Sequence, residues 1–155
     1  MEVYSLLKTA HILSATILFG TGLGIAFFFW MGGRSGDDRS ALFAAQATVT
    51  ADLLFTATAV VAQPITGLML VQLGGFDPLD PWLVATYALY GLAGLCWLPV
   101  IVLQIRIRNA LQSKLNGGPF DAAKVGRMRA WWFALGWPAF VALLVVFHLM
   151  VTKSL

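Results

Sequence analysis

The residues of widest chemical range in this sequence are its two histidines, His11 and His148. His11 follows Lys8 by three residues and His148 precedes Lys153 by five. At about 1.5 Å of rise per helical residue, both rings lie roughly 5 to 8 Å inside boundaries marked by those lysines. If one helix enters from that face and another returns to it, the two imidazoles share one depth. Facing imidazoles in a helical bundle can ligate a haem iron or a transition metal. Each also has a plainer use, satisfying a backbone or hydroxyl group near the headgroups. Met69 and Met150 fall near the same level, and thioether with imidazole suits Cu(I), although methionine is also ordinary core filler.

Other polar residues recur at helical spacing. Tyr87, Tyr90, Gly94, Trp97, Ile101, Gln104 and Arg108 are three and four apart, as are most of Asp52, Thr56, Ala59, Gln63 and Thr66. Each set lines one helix face, and polar residues within a bilayer turn toward the bundle interior. Gln63, Tyr90 and Trp97 are therefore candidates for a cofactor pocket, with Lys8 or Tyr87 placed to engage a haem propionate. Asp52 begins one uncharged stretch and Arg106 closes another, so a structural ion pair between them is expected near one interface. A proton relay is disfavoured, because relays need a chain of carriers and the middle of these stretches offers mainly threonine and glutamine. Cys96 is the one cysteine, which excludes an internal disulfide. No phosphate-binding loop, zinc motif or hydrolase triad is present. Gly20-x-x-x-Gly24 is the spacing that lets helices approach closely.

The elements that must position these residues follow from hydropathy. Of 155 residues, 59% are hydrophobic and 11% charged, with a mean hydropathy of +0.82. A soluble domain carries about a quarter charged residues, so the chain is an integral membrane protein. Uncharged runs of 25, 24, 25 and 23 residues separate Lys8 from Arg34, Asp52 from Asp77, Asp80 from Arg106 and Arg129 from Lys153. Each exceeds the roughly 20 residues that cross a bilayer as helix. Backbone groups in lipid must bond internally, and the alternating pattern of a barrel is missing. The expectation is one all-α domain over 1–155, a four-helix bundle with helices at about 3–31, 41–73, 81–113 and 122–152. Sequential neighbours, with the fourth helix closing on the first, is the simplest layout. Glycine-rich turns at 32–38, 74–81 and 116–119 separate the helices, and Pro64 and Pro138 predict kinks.

Eight of the ten lysines and arginines fall in the first and third connections. The positive-inside rule makes that side cytoplasmic and puts both termini outside. Trp82 then marks the outer interface, and Trp30, Trp131 and Trp132 the inner one. This bias accounts for the net charge of +3 without a nucleic-acid partner. The first helix is too long for a signal-peptide core and lacks a cleavage pattern after it, so an uncleaved protein of a bacterial inner membrane is expected.

Several segments resemble a known family. These are Leu7-Lys8-Thr9-Ala10-His11-Ile12-Leu13, Phe19-Gly20-Thr21-Gly22, Gln63-Pro64-Ile65-Thr66-Gly67, Pro81-Trp82, and Cys96-Trp97-Leu98-Pro99-Val100 with Gln104-Ile105-Arg106 after it. Together they resemble an uncharacterised bacterial family of integral membrane proteins, itself distantly similar to CopD-type copper-resistance proteins and HemJ-type protoporphyrinogen oxidases. The resemblance implies haem b binding through His11, which matches the first-helix histidine of the HemJ-type enzymes. Those enzymes also use a lysine one turn after a third-helix tryptophan; here the residue at that spacing from Trp97 is Ile101, so the oxidase activity is not carried across. Two functions are expected from this. One is a haem b protein passing electrons between a membrane quinol and an outer acceptor, with His148 as second ligand or pocket residue. The other is a non-catalytic module, either CopD-like in handling copper or a cofactor-free subunit of a homo-oligomer or larger membrane complex.

Overall fold

A computed structural model describes residues 2–154. Four helices are long and apolar enough to cross a membrane: α1 (Glu2–Arg34), α2 (Asp38–Gly74), α3 (Pro81–Leu115) and α4 (Ala122–Thr152). No strand occurs among the described residues, and the chain is an all-α membrane bundle.

Local chemistry sets the helix ends. Asp37 caps α2 by accepting from the Arg39 and Ser40 amides, and Asp121 caps α4 by accepting from Lys124 N at 2.9 Å. Such caps satisfy amides that have no intrahelical partner. Pro81 opens α3, where its missing N–H costs nothing. Gly75 ends α2 at φ +67, a left-handed conformation that glycine adopts without Cβ strain. Large apolar side chains such as Leu6, Phe28, Phe43, Leu95 and Trp137 are exposed around the bundle, as expected where lipid rather than water is the solvent.

The packing is uneven. α1 lies against the whole of α2, and α3 lies against α4, while α2 touches α3 chiefly through its first half. Residues Asp52–Thr56 of α2 are π-helical, and beyond them α2 stays with α1 and draws away from α3. A π turn inserts one extra residue and rotates the register of the helix beyond it. The resulting wedge is closed on the far side by aromatic rings. Phe19 of α1 stacks on Phe140 of α4 at 4.8 Å and meets Phe147 edge-on at 5.3 Å, and Phe29 packs on Trp132 at 4.8 Å. The fourth helix does close on the first, but through these side chains rather than by close backbone approach.

One expectation is corrected here. Gly20 and Gly24 are not contact points: a Cβ at either position would meet open space. Close approach occurs instead at Gly32, where such a Cβ would collide with Ala44 of α2, and at Gly67, where it would sit 3.3 Å from the His11 ring. Trp82, in the first turn of α3, is buried with Val71, Leu83 and Leu149. Trp132 is buried against Phe29 and Ile107, because its indole has a polar partner inside the bundle.

Candidate functional site

Asp52 is the side chain whose position departs most from expectation. It lies beyond the 14-residue first stretch of α2, about 21 Å from the helix start, and is 1% exposed. It is thus buried inside the bundle rather than solvated. The ion pair with Arg106 is not formed. Arg106 is exposed, and among the described residues the one ion pair joins Lys114 to half-exposed Asp38 at 2.7 Å. The physical reason is register: the Asp52 face of α2 meets Trp97 and Gln104 of α3, which precede the basic end of that helix.

The carboxylate is held by donors alone. Trp97 Nε1 donates to Oδ1 and Oδ2 at 3.1 and 3.3 Å, and Gln104 Nε2 donates to Oδ2 at 2.6 Å. Gln104 Oε1 in turn accepts from Trp132 Nε1 at 3.3 Å. Indole N–H groups only donate, so the network has one direction, from α4 through α3 to the Asp52 oxygens on α2. Gln104 is fully buried. Its importance is legible in retrospect, since it lies seven residues after Trp97 and therefore on the same helix face.

Above this network the wedge holds a cavity of about 270 Å³. All four helices line it. Asp52, Thr56 and Val60 come from α2, facing Tyr90, Gly94 and Trp97 of α3, while α1 and α4 contribute apolar and aromatic side chains. Thr56 Oγ1 is buried and has no hydrogen-bond partner among the described residues. One further contact ties the upper edge of the wedge. Pro64 has no N–H to offer the carbonyl four residues before it, which is that of Val60, and Tyr90 Oη donates to this carbonyl at 2.8 Å.

A second polar cluster surrounds His11. Its Nδ1 lies 2.7 Å from Thr66 Oγ1, and Gln63 Nε2 donates to the His11 carbonyl at 2.8 Å. The Thr66 hydroxyl already gives its proton to the Ala62 carbonyl at 2.7 Å, so toward His11 it accepts. This arrangement accommodates the tautomer with the proton on Nδ1 and a free lone pair on Nε2.

The residues expected to form one site separate into several places. Tyr90 and Trp97 line the cavity, and Gln63 anchors the His11 backbone. His148, Lys8, Tyr87 and Met69 are exposed, and Met150 packs beside the Trp82 cluster. His11 turns to α2 and His148 outward from α4, so the facing pair of imidazoles is not built. No cluster of three or more histidine, cysteine or acidic side chains able to hold a metal occurs among the described residues. Thr56, Gln104 and Trp132 are the site residues that sequence reasoning missed. Their sequence signal was polarity at helical spacing, which does not say which polar face meets which.

Comparison with known proteins adds the family. The family described as "Predicted integral membrane protein (DUF2269)" matches residues 5–154. No curated protein and no solved structure matches the chain. The fold, the four apolar helices and this match agree, and the chain belongs to the DUF2269 family of integral membrane proteins.

Proposed function

We propose that this protein is a membrane-embedded binding module that takes a small lipophilic molecule into the cavity between its four helices. The observation that carries this reading is the cavity itself, about 270 Å³ of apolar space with a buried carboxylate and an unpartnered Thr56 hydroxyl on its wall. Binding sites are concave and mostly apolar, with a few convergent polar groups. Its volume lies near the lower end of the roughly 300 to 1,000 Å³ typical of such sites, which suits a compact ligand. Organic extraction of the detergent-purified protein and mass spectrometry of the extract test the reading. A co-purifying small molecule retained by wild type and lost in Gly94→Leu supports it, because a side chain at Gly94 enters open space on the cavity wall. Identical extracts from the two proteins overturn it.

A second reading keeps haem b or copper at His11, serving electron exchange with a membrane quinol or metal handling. What favours it is the tautomer: a ligating imidazole commonly donates its other N–H to a fixed neighbour, and Thr66 occupies that place for His11. The residues fit a single axial ligand, since His148 does not face His11. Absorption spectra of air-oxidised and dithionite-reduced protein, with metal analysis, decide the matter. A Soret band that shifts on reduction and disappears in His11→Ala supports haem; colourless protein after haem addition and without bound copper removes the reading.

A further inference from the structure

We propose that the molecule taken into the central cavity is a lipophilic cation, an organic ammonium or a compound of equivalent charge. This rests on the cavity-binding reading and names its ligand class.

The starting point is a buried carboxyl with no cationic side chain beside it. Asp52 is 1% exposed. Burying a carboxylate is costly unless it is paired. Its partners Trp97 and Gln104 are neutral donors, which solvate the oxygens but leave the charge. Among the described residues, no lysine or arginine lies within ion-pair distance of Asp52. Arg129, the cation nearest the interior along α4, is turned away, with its guanidinium 5.5 Å from the Phe29 ring centroid, Nη1 donating to the Gly33 carbonyl at 3.3 Å and Nε without a partner among the described residues. Arg108 is bound to Asn109.

The second observation is what else lines the same space. Aromatic rings surround it on three helices, with Phe19 from α1, Tyr90 and Trp97 from α3, and Trp132, Trp137 and Phe140 from α4. Ring faces attract cations through their quadrupole, and the attraction strengthens where water is excluded. A neutral apolar ligand would use the rings and leave the carboxylate as it is. An inorganic cation would use the carboxylate and gain little from an apolar wall that offers few oxygens. An organic cation uses both. The unpartnered Thr56 hydroxyl adds an acceptor one helical turn from Asp52 on the same wall. The cavity is walled on α1 and α4 by residues that include exposed Leu23 and Trp137, so a lipophilic cation can arrive from the bilayer.

The test uses an isosteric pair, benzyltrimethylammonium and neopentylbenzene, which differ in one central atom and in charge. Binding of each to the full chain in nanodiscs is read by tryptophan fluorescence and compared with Asp52→Asn in the same lipid, so that partition into the bilayer cancels. The expected result is a loss of about tenfold or more in affinity for the cation on Asp52→Asn, with the neutral compound little changed, because one desolvated charge pair is removed. Asp52→Glu should restore cation binding. If both compounds bind wild type and neither responds to Asp52→Asn, the cationic ligand class is wrong and the cavity reading stands. If neither binds wild type, both fall. Should Asp52→Asn fail to fold, wild type alone decides: the cation must bind above its partition into empty nanodiscs by a wider margin than the neutral isostere, and an equal margin overturns the inference.

Discussion

Tyr90 Oη donates to the Val60 carbonyl at 2.8 Å, and that carbonyl is the one Pro64 leaves without its helical partner. A proline within a membrane helix creates an unsatisfied acceptor where no water can reach it, and here a neighbouring helix supplies the donor. Tyr90→Phe keeps the ring and removes only the hydroxyl. It is expected to destabilise the protein by about 1 to 3 kcal/mol, the range for orphaning one buried polar group. Thermal unfolding in detergent, monitored by tryptophan fluorescence, measures this; an unchanged midpoint would show that the carbonyl has another partner.

Gln104 is the only link between Trp132 and Asp52 among the described hydrogen bonds. Gln104→Leu preserves bulk but removes a donor from the carboxylate and an acceptor from the indole. The expected loss is about 1.5 to 3 kcal/mol, as for other hydrogen bonds to charged groups. Gln104→Glu should be worse, since it places a second carboxyl beside the first. The same unfolding measurement ranks the two variants, and a Gln104→Glu protein as stable as wild type would show that Asp52 does not depend on the Gln104 amide.

The glycines of α1 are not equivalent. At Gly32 an added Cβ collides with Ala44 of α2, whereas at Gly20 it meets nothing within 4 Å. Gly32→Ala should force the helices apart at a cost of about 1 to 3 kcal/mol, as overpacking does. Gly20→Ala should be neutral or stabilise by up to about 1 kcal/mol, because alanine loses less backbone entropy in a helix. Comparing their unfolding midpoints tests the crossing of α1 and α2 directly, and the reverse order would mean that these helices meet elsewhere.

Asp37 connects stability to pH outside the membrane. The Ser40 hydroxyl, and after it the Ser40 amide, hold the Asp37 carboxyl below its ordinary value of 3.8. A carboxyl lowered in the folded state stabilises at pH above the unfolded value, and that contribution disappears as pH falls through the lowered value. The cap at the start of α2 should therefore weaken only on strong acidification. Ser40→Ala should raise the Asp37 value toward 3.8 and move the onset of that weakening to higher pH. Carboxyl carbon shifts of Asp37 through an NMR titration check this, and coincident curves for wild type and variant would remove the Ser40 hydroxyl as the cause.

The membrane class, the four spans and most turns were legible in the sequence, because hydropathy and charge spacing act locally. Twenty apolar residues need no partner helix to prefer lipid, and Gly75 or Asp37 ends or begins a helix through its own backbone and side chain. The inward polar faces of α2 and α3 were legible too, since helical period assigns residues to faces. What the period cannot assign is the pairing of faces or the height at which they meet. Asp52 was expected at an interface beside Arg106 because it borders an uncharged run. Only the packed bundle buries it among Trp97, Gln104 and the cavity. Likewise the depth of His11 and His148 came from residue counts, but rotation about the helix axes turned His11 to Thr66 and His148 outward. Spans and turns are properties of consecutive residues; the buried carboxylate, the wedge after the π turn and the cavity depend on contacts between residues some 45 to 50 apart along the chain, and those are decided by tertiary packing alone.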